Sequence, residues 1–209
     1  MKRACMVLTA AALLVPAVTF AAAPSQTAPS PKTASQAAGL SKWTIPYVGF
    51  FTGFHRSSLD DFSTETGSMT GVRAGWNVLV GISGVHFVLG GSIFYSWNAD
   101  QTHQSCTAAG CSSINVGSTV FGFDARIGYP FGGDGQFMAY IHGGPSHIGF
   151  TGGSTTLSDN STSRYGLGFV WAPDNSPFRI DLQYTHVGYG AGVGNWTNDN
   201  LTLGIHIGF

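Results

Sequence analysis

The sequence predicts an all-β fold: an eight-stranded antiparallel transmembrane β-barrel built as an up-and-down meander. Three observations lead there. Only 9% of the 209 residues are charged, against about 25% in an ordinary soluble domain. Thirty residues are Gly and aromatics reach 13%. From Trp43 onward the apolar residues recur with period two, separated by turn residues, and no stretch has helical period. A wall one residue thick, with bulky apolar side chains on lipid and small or polar ones inside, produces this pattern. The composition excludes a disordered chain, and a net charge of −1 gives no basic face for nucleic acid.

The chain opens with an export signal. Lys2 and Arg3 precede an apolar run from Ala4 to Phe20, and Ala21, Ala22 and Ala23 follow. This is the layout of a secretory signal peptide over residues 1–23, with cleavage after Ala21 or Ala23. Residues 24–42 are rich in Pro, Ala and Ser without periodicity and read as a flexible periplasmic segment. The barrel is expected over 43–209.

The last segment shows the pattern best. Leu201, Leu203, Ile205, Ile207 and Phe209 share one face, and Thr202, Gly204, His206 and Gly208 the other. Phe178, Ile180, Leu182 and Tyr184 oppose Arg179, Asp181, Gln183 and Thr185. Tyr165, Leu167, Phe169 and Trp171 oppose Arg164, Gly166, Gly168 and Val170. Phe121, Phe123, Ala125 and Ile127 oppose Gly122, Asp124, Arg126 and Gly128. The segments at 72–80 and 87–97 alternate likewise, and 44–55 and 136–150 complete eight. Pro46 and Pro145 predict strand ends or bulges. Short turns are expected at Ser83-Gly84, Pro130–Gly135 and Pro173–Pro177, and long loops at 56–68, 99–116, 151–162 and 190–199. Short inner turns and long outer loops are the asymmetry of bacterial outer-membrane barrels. Tyr129, Trp171, Phe178 and Phe209 fall at the inner rim, and Tyr95, Trp97, Phe150 and Trp196 at the outer one. A soluble eight-stranded barrel would put its charges outside, whereas here the strand charges share a face with the glycines.

The inward face carries Arg73, Asp124, Arg126, Arg164, Arg179 and Asp181. In a narrow interior these charges pair: Asp124 with Arg126 or a neighbouring-strand Arg, and Asp181 with Arg164 or Arg179. Cys106 and Cys111 enter an oxidising compartment and are expected to form a disulfide across a short loop. His86, His142 and His206 fall on the inward phase, His55 and His103 in loops, and His147 and His186 near the outer end. No His pair has metal-site spacing, so neither metal nor cofactor is expected.

Enzyme motifs are absent: no G-x-S-x-G, H-E-x-x-H or P-loop. Two stretches bear on lipid A-modifying chemistry. In Tyr184-Thr185-His186-Val187-Gly188 a Gly stands where a deacylase would need its Ser. His55 with Asp60, Asp61 and Ser57 or Ser58 could form an acyl-transfer site at the outer rim.

The stretch Trp43–Phe209 resembles the small alphaproteobacterial outer-membrane proteins of the porin-family or opacity type, with an OmpA-like eight-stranded barrel. The residues that carry the resemblance are Tyr47-Val48-Gly49, Gly71-Val72-Arg73-Ala74-Gly75-Trp76-Asn77 and Ala125-Arg126-Ile127-Gly128-Tyr129. Tyr140-Ile141-His142-Gly143-Gly144 and Arg179-Ile180-Asp181-Leu182-Gln183-Tyr184 continue it. The departures are Asp124, where the family often has Arg, and Gly91-Ser92, where an acid is usual. The terminal Leu203, Ile205, Ile207 and Phe209 resemble the signal read by the barrel-assembly machinery. The resemblance implies a non-enzymatic surface protein in contact with outer-membrane lipid and lipopolysaccharide, with an unknown loop ligand. The alternatives are a small anion-leaky porin, from four Arg against two Asp inside, and a lipid A-modifying enzyme.

Overall fold

The computed structural model describes residues 40–60, 62–151, 160–190 and 195–209. The signal peptide, most of the 24–42 segment, Asp61 and the tips of two outer loops lie outside the described residues.

Eight antiparallel strands close into one barrel in chain order. They are β1 (Pro46–Leu59), β2 (Glu65–Ile82), β3 (Val85–Thr107), β4 (Gly110–Phe131), β5 (Phe137–Thr151), β6 (Asn160–Trp171), β7 (Phe178–Gly190) and β8 (Asn195–Gly208). Closure runs through β1 and β8, from Tyr47 opposite Gly208 to Leu59 opposite Trp196. A closed ladder leaves no edge strand, which is what a sheet in hydrocarbon requires. Every strand exceeds the roughly 9–11 residues needed to cross a bilayer.

The alternation places the side chains as the sequence predicts. Phe54 (66% exposed), Leu201, Leu203 and Ile205 (55%) point outward, as do Val72, Trp76, Ile93, Phe121, Ile127, Ile141 and Leu167. Arg73, Asn77, Ser92, Asp124, Arg126, Arg164, Arg179 and Asp181 point inward and are buried. A continuous outward apolar wall around a polar interior is stable only in lipid, so the chain spans a membrane with its strands.

The turns obey local chemistry. β2 and β3 join through Ser83 and Gly84, both with positive φ (49° and 82°), the two-residue hairpin turn whose twist matches the flanking strands. Pro46 begins β1. Pro145 sits inside β5, where the β4–β5 ladder skips from Gly122–Ser146 to Ala125–Gly143 without a change of register. A residue without an N–H interrupts the bonds and leaves the alignment intact.

The outer connections differ from the expectation. The segment 99–116 is not a loop. Apart from a register shift between Asn98 and Gln101, β3 and β4 stay paired to Thr107 and Gly110, and the disulfide joins the directly opposed Cys106 and Cys111. Likewise β1 runs to Leu59 and β2 starts at Glu65. Above the membrane both faces of a strand meet water, so apolar alternation vanishes while backbone pairing continues. Phe150 departs from the expected outer girdle, packing against the interior cluster with its ring 5.4 Å from Trp196, and so does Trp196. It lies in the inward phase of β8 with Asn198 and Asn200 and is buried inside the barrel. Tyr95 and Trp97 take the outward positions, with rings 4.8 Å apart.

Candidate functional site: the barrel interior and the outer rim

Eight strands enclose an interior just wide enough for side chains to fill. Among the described residues the inward side chains form three layers. The outer layer is apolar: Phe51, Leu59, Met69, Phe94, Val120, Ile148, Tyr189 and Trp196 pack together. The inner layer is apolar too, formed by Trp43, Val88, Met138, Tyr140, Val170 and Ala172. The polar layer lies between.

The polar layer holds two ion pairs. Arg164 presents a fork to Asp124, with Nε 3.1 Å from Oδ1 and Nη2 3.2 Å from Oδ2. Its guanidinium also lies over the Phe94 ring at 3.9 Å. Arg73 meets Asp181 at 3.3 Å, and Tyr140 donates its hydroxyl to the same carboxylate at 2.7 Å. Gln183 connects the pairs. Its carbonyl accepts from Arg73, and its amide donates to His142 Nε2 at 2.7 Å. His142 turns Nδ1 toward Asp124 at 3.5 Å. All of these side chains are buried, so each charge depends on its partner rather than on water.

These pairings differ from the expected ones. Asp124 pairs with Arg164 on β6, neither Arg126 nor an adjacent strand, and Asp181 pairs with Arg73 on β2 rather than Arg164 or Arg179. Residues i and i+2 on a strand stand nearly 7 Å apart along the wall, whereas in so narrow a barrel long side chains reach through the lumen to strands two or three places away. Arg126 donates to Asn77 at 2.9 Å and lies over Tyr47, and Arg179 donates to the Lys42 carbonyl.

The inner mouth is closed by residues that periodicity does not reveal. Leu40 and the short 3-10 turn Ser41–Trp43 lead into β1. Trp43 is fully buried and donates its indole N–H to the Gly135 carbonyl at 2.8 Å, on the β4–β5 turn. Lys42 meets Asp174 on the β6–β7 turn at 2.5 Å, and Gln136 donates to the same carboxylate at 2.6 Å. These bonds hold the exposed Asp174 carboxyl below its ordinary range. The segment therefore crosses the mouth from β1 to the opposite turns. The one signal in the sequence was a bulky Trp43 just after a run of small and polar residues.

At the outer end His55 and His103 lie on strands and point inward, not in loops as expected. His103 Nδ1 faces the Ser63 carbonyl at 2.8 Å, which makes Nε2 the acceptor, 3.3 Å from Ser57 Oγ. Gln101 bonds to Ser57 as well. A serine beside a histidine base is the start of a nucleophilic site. Here both side chains are 0% exposed, and the Trp196 ring lies 5.0 Å from His103, so the cluster pins the β1–β2 loop to β3. The acyl-transfer trio does not assemble: His55 and Ser57 are buried inside, while Asp60 is exposed and accepts from Asn195. Asp61 lies outside the described residues. His186 faces outward and bonds Asp199 at 2.7 Å beside Gly188, which has no hydroxyl. Among the described residues no three His, Cys, Asp or Glu are grouped to hold a metal ion. Leu203, Ile205 and Ile207 line the outward face of β8, ending at the exposed Phe209.

No family model matches the chain, and no curated protein matches it. Among solved structures the chain is similar to Ail, the attachment invasion locus protein of Yersinia pestis, at 12% identity and a TM-score of 0.48. The match covers 78% of this chain and 99% of that one. The Neisserial surface protein A, NspA, is 15% identical with a TM-score of 0.45, covering 78% and 97%. The outer membrane protein OprG of Pseudomonas aeruginosa is 14% identical with a TM-score of 0.45, covering 79% and 94%.

Proposed function

We propose that this chain is a non-enzymatic surface protein of the bacterial outer membrane, whose lumen is plugged by its own side chains and whose outer loops carry its interactions. The three filled layers of the lumen support this reading most directly. An interior occupied by two apolar layers and a bonded ionic layer offers no water column, and a sealed Ser57–His103 contact offers no substrate path. The outward apolar wall faces membrane lipid, with lipopolysaccharide at the level of the outer rim. The outward alternation of Leu203, Ile205 and Ile207 in β8 supports passage through the barrel-assembly machinery.

Charge narrows the loop ligand. Among the described residues Arg56 is the only Lys or Arg toward the outer end, since the others line the lumen or the inner mouth. Asp60, Glu65, Asp100 and Asp199 stand against it. A polyanion meets repulsion there, so the ligand class is neutral or cationic. The alphaproteobacterial resemblance fits this reading.

The experiment is a mass spectrum of lipid A and phospholipids from a host carrying the folded barrel, beside an empty-vector control. The reading expects identical acyl patterns. A changed pattern would identify an enzyme and overturn it.

A further inference from the structure

The polar layer is not electrically balanced. Four Arg face the lumen and two Asp answer them, each Asp already engaged by Arg73 or Arg164. Arg126 and Arg179 remain, and neither has a carboxylate partner among the described residues. Both are buried, at 8% and 4% exposure. Arg126 is bonded to Asn77 and its guanidinium stacks on Tyr47 at 4.7 Å. Arg179 spends Nη2 on the Lys42 carbonyl, and its Nε and Nη1 have no partner. Both groups are cationic, so neither compensates the other.

Other groups beside them are equally unmatched. The Tyr47 hydroxyl is buried without a partner, and its ring stacks on His206 at 5.1 Å. His206 is paired in register with Arg179 across β7 and β8, and its Nε2 stands 3.9 Å from Asp181. Tyr140 is committed to Asp181. The Trp43 segment closes this end from the periplasmic side, with the indole 5.8 Å from the Arg179 guanidinium. So two buried cations, unused N–H donors and an unused O–H are linked through the Tyr47 and His206 rings at the inner end of the lumen, beside the Trp43 segment.

A buried, unpaired guanidinium is costly, and a group that cannot lose its proton cannot escape the cost by neutralising. We infer that the inner end of the lumen, between Arg126, Arg179 and Tyr47, binds a small inorganic anion, chloride or phosphate. The anion is a resident counter-ion: it accepts from Arg179 Nε and Nη1 and from the Tyr47 hydroxyl, and it balances Arg126. The site holds its ligand under the Trp43 segment and passes nothing through, since the Arg73–Asp181 pair and the outer apolar layer lie beyond it. It rests on the closed-lumen reading only in needing a dry interior. A leak would appear as conductance, whereas failure of the anion site leaves conductance unchanged.

The test uses the full folded barrel in lipid. Urea midpoints are compared in chloride, phosphate and gluconate at equal ionic strength, and crystals are soaked in bromide for anomalous diffraction. A ligand that binds only the folded state, at 100 times its Kd, raises the folded-to-unfolded ratio about 100-fold. The expected result is a higher midpoint in chloride or in phosphate than in gluconate, with bromide density beside Arg179 and Tyr47. Which of the two anions raises the midpoint identifies the ligand. Arg179→Gln abolishes the anion dependence and Arg56→Gln, on the outer wall, keeps it. Should Arg179→Gln fail to fold, the native chain's anion series and bromide map decide alone. Equal midpoints in all three anions, or bromide density only at the outer loops, would overturn the site.

Discussion

Replacing Asp181 with Leu puts the interior to its hardest test. The Asp181 carboxylate is 2% exposed and takes Arg73 at 3.3 Å and the Tyr140 hydroxyl at 2.7 Å. Without it Arg73 keeps only Gln183, and a third cation joins the two that already lack carboxylates. Removing one member of a buried ion pair costs about 3–5 kcal/mol, because the other charge stays buried and uncompensated. Replacing both members with apolar residues of similar volume is neutral or stabilising by about 1–4 kcal/mol. The expected order is therefore inverted from additivity: Asp181→Leu is severely destabilised, while Arg73→Met with Asp181→Leu returns close to the native chain or above it. Urea unfolding in lipid vesicles, followed by tryptophan emission and by heat-modified gel mobility, reads both. A single variant that costs under about 1 kcal/mol would mean that water reaches Arg73, and the dry-lumen argument would fail.

Other consequences follow from the same structure. Trp43→Ala deletes a fully buried indole and its bond to Gly135, so it should cost about 3–5 kcal/mol while strand content by circular dichroism is retained. Asp174 has a depressed carboxyl pKa through Lys42 and Gln136. Its contribution is full above the ordinary value of 3.8 and lost as pH falls through the lower folded value; Asp174→Asn should remove this acid-side change from an unfolding titration. Replacing Cys106 and Cys111 with Ser should speed amide exchange in the β3–β4 tip and leave the unfolding midpoint of the barrel unchanged, since the pair lies beyond the last β2–β3 and β4–β5 partners. Ile205→Arg, on the lipid face, should cost about 2–4 kcal/mol if it lies near the bilayer midplane, measured by vesicle unfolding.

The wall was legible because a barrel strand has one lipid face and one lumen face, and a period of two records both. Leu201 to Phe209 carries that record without a break. Even Trp196 was legible by phase, since it is an odd number of positions from Leu201; its placement among outer aromatics ignored the register of its own strand. The ribbon from Ala99 to Asn115 was not legible, because Ser and Thr on both faces leave no periodic signal. The ion pairs were hidden for a different reason. Arg73 and Asp181 sit on β2 and β7, three places apart around the closed barrel, and strand tilt decides which heights meet. The Leu40–Trp43 closure depends on turns at Gly135 and Asp174 that are distant in sequence.

Single-channel recording of the purified barrel in a planar bilayer tests the closed lumen most directly. The account predicts a flat baseline, or rare flickers far below the steps of a wide porin, in chloride and gluconate alike. Stable, long-lived openings in the native chain would contradict it, because they require a water path through Trp43, the Arg73–Asp181 layer and the Trp196 layer together.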